Sequence, residues 1–234
     1  MIIDTHAHLA DEKFDADRDA VLARAQAAGV TTLIEIAESP AGWEAAVQLA
    51  EKHPFIYASL GIHPHHAHDV GPAEWPALAQ KLRRLLQHPK VVALGEFGLD
   101  YFRMQNTQEQ QDYLFRRQLE LAKELVKPIV IHCFSGSWED AQAYMLYGFL
   151  LGVDAPVTYP SSKLLKEIVF RMPLQRMVLE TDSPYLPPQT HRGQRNEPAY
   201  VTHVVSALAR IRGEDEVALA GTLRENAVRL FGLL

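Results

Sequence analysis

The chain has 234 residues, 47% of them hydrophobic, a formal net charge of −6 and a sequence pI near 6.0. That is enough apolar material for a well-buried α/β core, and it carries no basic stripe of the kind through which nonspecific duplex binders collect many phosphate contacts. One cysteine excludes an intrachain disulfide, the opening Met1-Ile2-Ile3-Asp4 lacks the regions of a signal peptide, and no run approaches the ~18 apolar residues of a membrane span, so a cytoplasmic protein with no membrane contact is expected.

Taken in chain order, short apolar runs predict strands near 1–5, 31–37, 55–62, 91–97, 128–132, 149–154 and 176–181. Helical periodicity fills the intervals near 15–28, 40–53, 74–88, 107–126, 137–147 and 161–170, and two further helices near 197–212 and 214–231 close the chain. Strands apolar on both faces are those that helices cover on both sides, and their alternation with helices specifies a parallel sheet. There is no internal repeat, low-complexity tract or linker, so residues 1–234 are expected to form a single domain; 184–198, with four prolines and Gly193, reads as a long ordered loop.

Six polar residues fall at or just past strand ends: His6, His8, His63, Glu96, His132 and Asp182. The rim at the strand C-termini is where (β/α) barrels gather their chemistry. An open doubly wound sheet commonly carries a glycine-rich phosphate turn, and none follows the first strand. The expected fold is therefore α/β, a TIM-barrel-like (β/α) barrel with seven strands rather than eight.

In His6-x-His8 both side chains point the same way along a strand and can reach one ion; the alternative is a pair of surface histidines. Glu96, between Gly95 and Phe97, can ligate or bridge metal, or it can cap the next helix. Asp182, stopped by Pro184, can bind metal or hold an attacking water, or it can cap the Pro-rich loop. In Gly61-Ile62-His63-Pro64-His65-His66-Ala67-His68, His63 suits substrate contact or proton transfer. His65 is a weaker candidate of the same kind, and His66 and His68 read as solvated. His53, His88 and His203 read as structural, Cys133 as a packing residue, Asp4 as a group that orients a histidine or caps the turn, and Asp100 as a cap or support for Glu96.

In sequence order, Asp4-Thr5-His6-Ala7-His8, Gly61-Ile62-His63-Pro64-His65, Gly95-Glu96-Phe97-Gly98-Leu99-Asp100-Tyr101, His132-Cys133-Phe134-Ser135-Gly136-Ser137, Thr158-Tyr159-Pro160, Glu180-Thr181-Asp182-Ser183-Pro184-Tyr185-Leu186 and Arg195-Asn196-Glu197-Pro198 resemble the TatD family of metal-dependent deoxyribonucleases over nearly the whole chain. The resemblance implies a TIM-barrel-like fold of the amidohydrolase type and hydrolysis of phosphodiester bonds with divalent metal, of which Mg, Mn and Zn are not distinguished. It implies one ion held by His6, His8, Glu96 and Asp182, and a second held by Glu96 and two later histidines. One of those histidines ends a strand and the other opens the His-Cys-Phe-Ser-Gly segment one strand–helix unit later. Here Lys127-Pro128-Ile129-Val130-Ile131-His132-Cys133-Phe134-Ser135-Gly136 joins the front of the first motif to the back of the second at one histidine. A unit of roughly 25–30 residues is missing, and one tight ion with a second weak or absent is expected. Arg192 and Arg195, whose forks suit a phosphate, join His63 and His65 as candidate substrate contacts. DNA or a small phosphodiester or ester is the expected partner, and no protein partner is evident. Two other readings stay open: a hydrolase of small amides, lactones or aminoacyl esters on the same scaffold, and a metal-binding protein with impaired catalysis.

Overall fold

The computed structural model describes residues 1–101, 103 and 105–233. The chain folds as two compact units: Met1–Ile34 with Val130–Leu234, and Glu35–Ile129. Seven strands occur among the described residues: β1 (Ile2–Ala7), β2 (Val30–Ala37), β3 (Ile56–Leu60), β4 (Val91–Leu94), β5 (Val130–Ile131), β6 (Leu150–Val153) and β7 (Met177–Leu179). Eight α-helices accompany them: α1 (Arg18–Ala27), α2 (Trp43–Lys52), α3 (Trp75–Leu85), α4 (Gln108–Glu124), α5 (Trp138–Leu146), α6 (Lys163–Arg171), α7 (Val201–Arg212) and α8 (Glu216–Phe231). Among the described residues no helix is long and apolar enough to cross a membrane.

In the first unit β5, β6 and β7 pair in parallel, with Val130 opposite Leu150 and Leu151 opposite Met177. β1 meets the end of β7 through a parallel bridge between Ala7 and Ser183. Ile3, Leu151, Val153, Val178 and Leu179 are buried, and so are Val204, Leu208, Leu219 and Leu223 of the closing helices. Each such side chain contributes about 1.5–3 kcal/mol by leaving water. Asn226 of α8 donates from Nδ2 to the carbonyls of Leu174 and Met177 at 2.8 and 2.9 Å, fixing the helix to the start of β7.

In the second unit β3 and β4 pair in parallel, Leu60 opposite Leu94. Trp43 is fully buried and its indole N–H donates to the Gly61 carbonyl at 2.8 Å. Gly61 is required where it stands: a Cβ there would lie 2.6 Å from the Glu96 carbonyl oxygen, so only glycine lets these two strand ends approach.

The long α4 starts on a capping box, with Thr107 and Gln110 each bonding the other's backbone N–H, which satisfies two donors that a helix start otherwise leaves unpaired. It ends in a Schellman stop: Lys127 N–H reaches the Ala122 carbonyl at 3.0 Å, and Val126 takes a left-handed φ of 52°. α5 again starts on a capping box, formed by Ser137 and Asp140.

Candidate metal centre

The site of the first unit is assembled by the backbone before any side chain is considered. Asp182 N–H donates to the His6 carbonyl at 2.9 Å, and His8 N–H donates to the Ser183 carbonyl at 2.7 Å. These two bonds lay the end of β1 beside the segment after β7. Asp4, buried in β1, completes the seam: its carboxylate accepts from Thr181 Oγ1 at 2.6 Å, Thr181 N–H at 3.0 Å and His6 N–H at 3.2 Å. Burial pushes the Asp4 carboxyl up to about 7, against the pull of the Thr181 and His6 donors. Asp4 is thus an orienting group rather than a ligand.

Along β1 the alternation of side chains sends His6 and His8 to one side. Their Nε2 atoms are 3.3 Å apart. Asp182 Oδ1 lies 3.7 Å from His6 Nε2 and 3.4 Å from His8 Nε2. His132, just past β5, brings its Nε2 within 3.6 Å of the same oxygen, and its ring stacks on His6 with centroids 3.5 Å apart and planes 13° apart. Burial would raise the Asp182 carboxyl, yet the bond from His8 and the nearby His132 and His6 imidazoles hold it below the ordinary carboxylate value. Asp182 adopts a left-handed φ of 57°, a conformation uncommon outside glycine that clusters at functional sites.

This donor set fits a divalent ion. Ligand arms of about 2.0–2.1 Å in a tetrahedron place neighbouring donors about 3.3 Å apart, and His6, His8 and Asp182 offer three mutually close ligand atoms of the right chemistry. His132, which the family resemblance places at a second ion, here faces the same Asp182 oxygen as His6 and His8.

Two features of this unit were not singled out from the sequence. Glu180, 1% exposed, accepts from His132 Nδ1 at 3.0 Å and Cys133 N–H at 3.2 Å. A carboxylate closing the apolar run Met177-Val178-Leu179 was the available signal. Asn196 donates from one Nδ2 to the carbonyls of Thr181 and Tyr185 at 2.8 and 2.7 Å, so the loop 184–198 is ordered by a buried amide. Cys133 is half-buried, and burial pushes its thiol up, as befits a packing residue. Arg195 makes a two-pronged pair with Asp17, 2.8 Å on each arm, and donates to the Lys13 carbonyl. The Nη pair of Arg195 is thus taken up by Asp17. Arg192 lies over the Tyr159 ring, 4.6 Å from its centroid.

The second unit holds a cluster of its own. His63 Nε2 is 3.7 Å from Glu96 Oε1, and its imidazole is held below the ordinary histidine value by burial, against the opposing pull of Glu96. His65 pairs with Asp100 at 2.8 Å, and Asp100 N–H in turn donates to buried Gln111 at 2.7 Å. His66 and His68 face Glu38 and Asp69 at 3.9 and 3.3 Å, and His68 also meets Asn106 at 2.8 Å.

The model of the family described as TatD related DNase matches residues 3–133 and again 126–232. The chain belongs to the TatD-related DNase family, a family of metal-dependent hydrolases. It is 36% identical to the uncharacterized metal-dependent hydrolase YabD of Bacillus subtilis, with 99% of each chain covered. It is equally 36% identical to the 3'-5' ssDNA/RNA exonuclease TatD of Pantoea vagans, over 99% of this chain and 100% of that one. Among solved structures, the TatD homologue YjjV of Escherichia coli K12 superposes with a TM-score of 0.93 at 32% identity, covering 100% of this chain and 98% of that one. A TatD family hydrolase from Entamoeba histolytica shares the fold at a TM-score of 0.85 and 21% identity. The fold class is thus the TIM-barrel-like α/β class of these neighbours, as expected from the strand-end residues.

The two family matches overlap at residues 126–133, the junction at which the sequence motifs place a missing unit. The alignments with the two relatives run to 258 and 264 positions against 234 residues here. The relatives therefore carry roughly 25–30 residues without a counterpart, about one strand and helix.

Proposed function

We propose that this chain is a phosphodiesterase of the TatD type that removes nucleotides from single-stranded or frayed nucleic acid, with His6, His8, His132 and Asp182 holding a divalent ion. The observation that carries this reading is the convergence of three imidazole Nε2 atoms on one Asp182 oxygen at 3.4–3.7 Å in a member of this family. When bound, the ion supplies Lewis acidity towards a phosphoryl oxygen and a water of lowered pKa. Asp182, held below the ordinary carboxylate value by its histidine neighbours, would orient a water beside the ion and take up its proton. His63, poised neutral beside Glu96, serves proton transfer or phosphate contact; Glu96 is carried as a metal carboxylate by the family resemblance. His65, Arg192 and Arg195 are the proposed further substrate contacts. In this reading 1–234 works as one domain, in the cytoplasm, where a chain with one cysteine is at home.

The net charge of −6 supports a strand-end substrate, because affinity then comes from a few local contacts rather than a long phosphate track. A panel of single-stranded, frayed and blunt duplex substrates, set beside a panel of small esters, tests the proposal. Degradation of single strands ahead of duplex, with a shallow dependence on salt, is expected. Turnover of the small esters alone, or tight duplex binding that weakens steeply with salt, overturns it.

A further inference from the structure

We infer that Glu180 is a positioning residue that fixes the tautomer of His132, and that Gly152 is the notch through which it does so. Glu180 follows β7, whereas His132 follows β5, and β6 lies between them in the sheet. The Glu180 side chain spans that middle strand. Its carboxylate passes over Gly152, where a Cβ would lie 2.0 Å from Oε2 and 2.2 Å from the carboxyl carbon. No other residue type leaves that passage open. On the far side, the one oxygen Oε2 receives both His132 Nδ1 and the Cys133 N–H. Because Oε2 already accepts the Cys133 N–H, it faces His132 as an acceptor, so Nδ1 carries the imidazole proton and the lone pair is left on Nε2. That nitrogen is the one facing Asp182 Oδ1 at 3.6 Å. The stacked His6 ring blocks rotation of His132 from the other face. His132 is thus set, in both tautomer and ring angle, from two strands away. Outer partners of this kind commonly change metal affinity ten- to hundred-fold.

The inference rests on the metal reading for its affinity arm only, and a second arm stands without metal. Imidazole 15N spectra of the metal-free protein, with His132 assigned by loss of its signals in His132→Gln, should show His132 protonated at Nδ1. In Glu180→Ala that signature should shift towards the Nε2-protonated or mixed form, and metal affinity by calorimetry should fall ten- to hundred-fold. Glu180→Gln, which keeps an acceptor, should retain most of the tautomer signature. Gly152→Ala should reproduce Glu180→Ala by expelling the carboxylate. The double variant Glu180→Ala with Gly152→Ala should be no worse than either single change, because the added methyl then meets no carboxylate; it also serves where Gly152→Ala alone folds poorly. A His132 protonated at Nε2 in the parent protein, an unchanged tautomer in Glu180→Ala, or additive effects in the double variant overturns the inference. If metal stoichiometry instead survives His6→Ala and His8→Ala, the metal reading falls while the tautomer arm still decides the role of Glu180.

Discussion

Asp17 braces the motif residue Arg195. Its two oxygens take the fork of Arg195 at 2.8 Å each, and Arg24 bridges from Asp17 to Glu197 at 3.3 and 2.7 Å. The bonds from Arg195 hold the Asp17 carboxyl down to about 2, from an ordinary 3.8. The folded pKa lies below the unfolded one, so the stability this group contributes is present above the unfolded value and is lost as pH falls towards 2. Asp17→Asn should therefore lower the denaturant midpoint by an amount constant above about pH 5, and the gap to the parent protein should narrow below pH 4. A gap that widens in acid would mean that Asp17 is not the ionised partner. At the same scale, His6→Ala or His8→Ala should abolish tight metal binding while leaving the circular dichroism spectrum close to that of the parent, since both buried rings meet polar groups of the site, Asp182 among them. Wild-type metal stoichiometry in both would remove them from the ligand set. The pairing of Arg195 with Asp17 spans 178 residues of sequence, and no local pattern reveals it. Glu180 was missed for the same reason, its target being two strands distant in space and 48 residues away in sequence.

At the scale of elements, periodicity located all seven strands and eight helices among the described residues, and the departures have local causes. The strand expected over 128–132 shrinks to Val130–Ile131, because Pro128 has no N–H to give a ladder. The helix expected from 197 begins at Val201, since Pro198–Tyr200 first forms a 3-10 turn. The first helix begins at Arg18 after another such turn, Glu12–Phe14. The stop of α4 is less well matched to its residue. Val126 occupies the left-handed position that usually falls to glycine, with φ 52° and a side chain 88% exposed. A β-branched residue there costs about 1–2 kcal/mol, and almost no packing offsets it. Val126→Gly should raise the denaturant midpoint by about 1 kcal/mol of stability, measured by equilibrium unfolding; a destabilised variant would show that Val126 makes contacts that outweigh its strain.

For the whole molecule, the order of motifs made the family legible, and the doubled match at 126–133 agrees with the fused histidine motif. What the order could not show was which ion His132 would serve, because that depends on where the shortened chain delivers the ring. With His6, His8 and His132 each facing Asp182 Oδ1, we expect one tightly held ion per chain, with activity rising further only at high divalent-metal concentration. Elemental analysis paired with a metal titration of activity reads this out. Two tightly held ions and full activity at trace metal would refute it.

The ends of α4 and α5 carry a further consequence. One helix closes on its own Schellman bonds at Val126 and Lys127, the other opens on its own capping box at Ser137 and Asp140, and the nine residues 128–136 run between them. Neither seal draws a hydrogen bond from that interval. The joint behaves as a cassette boundary: a strand–helix segment can be cut out or spliced in there without unpairing the helix ends on either side. A chain altered by one unit at this point would keep its remaining helices closed by bonds of their own.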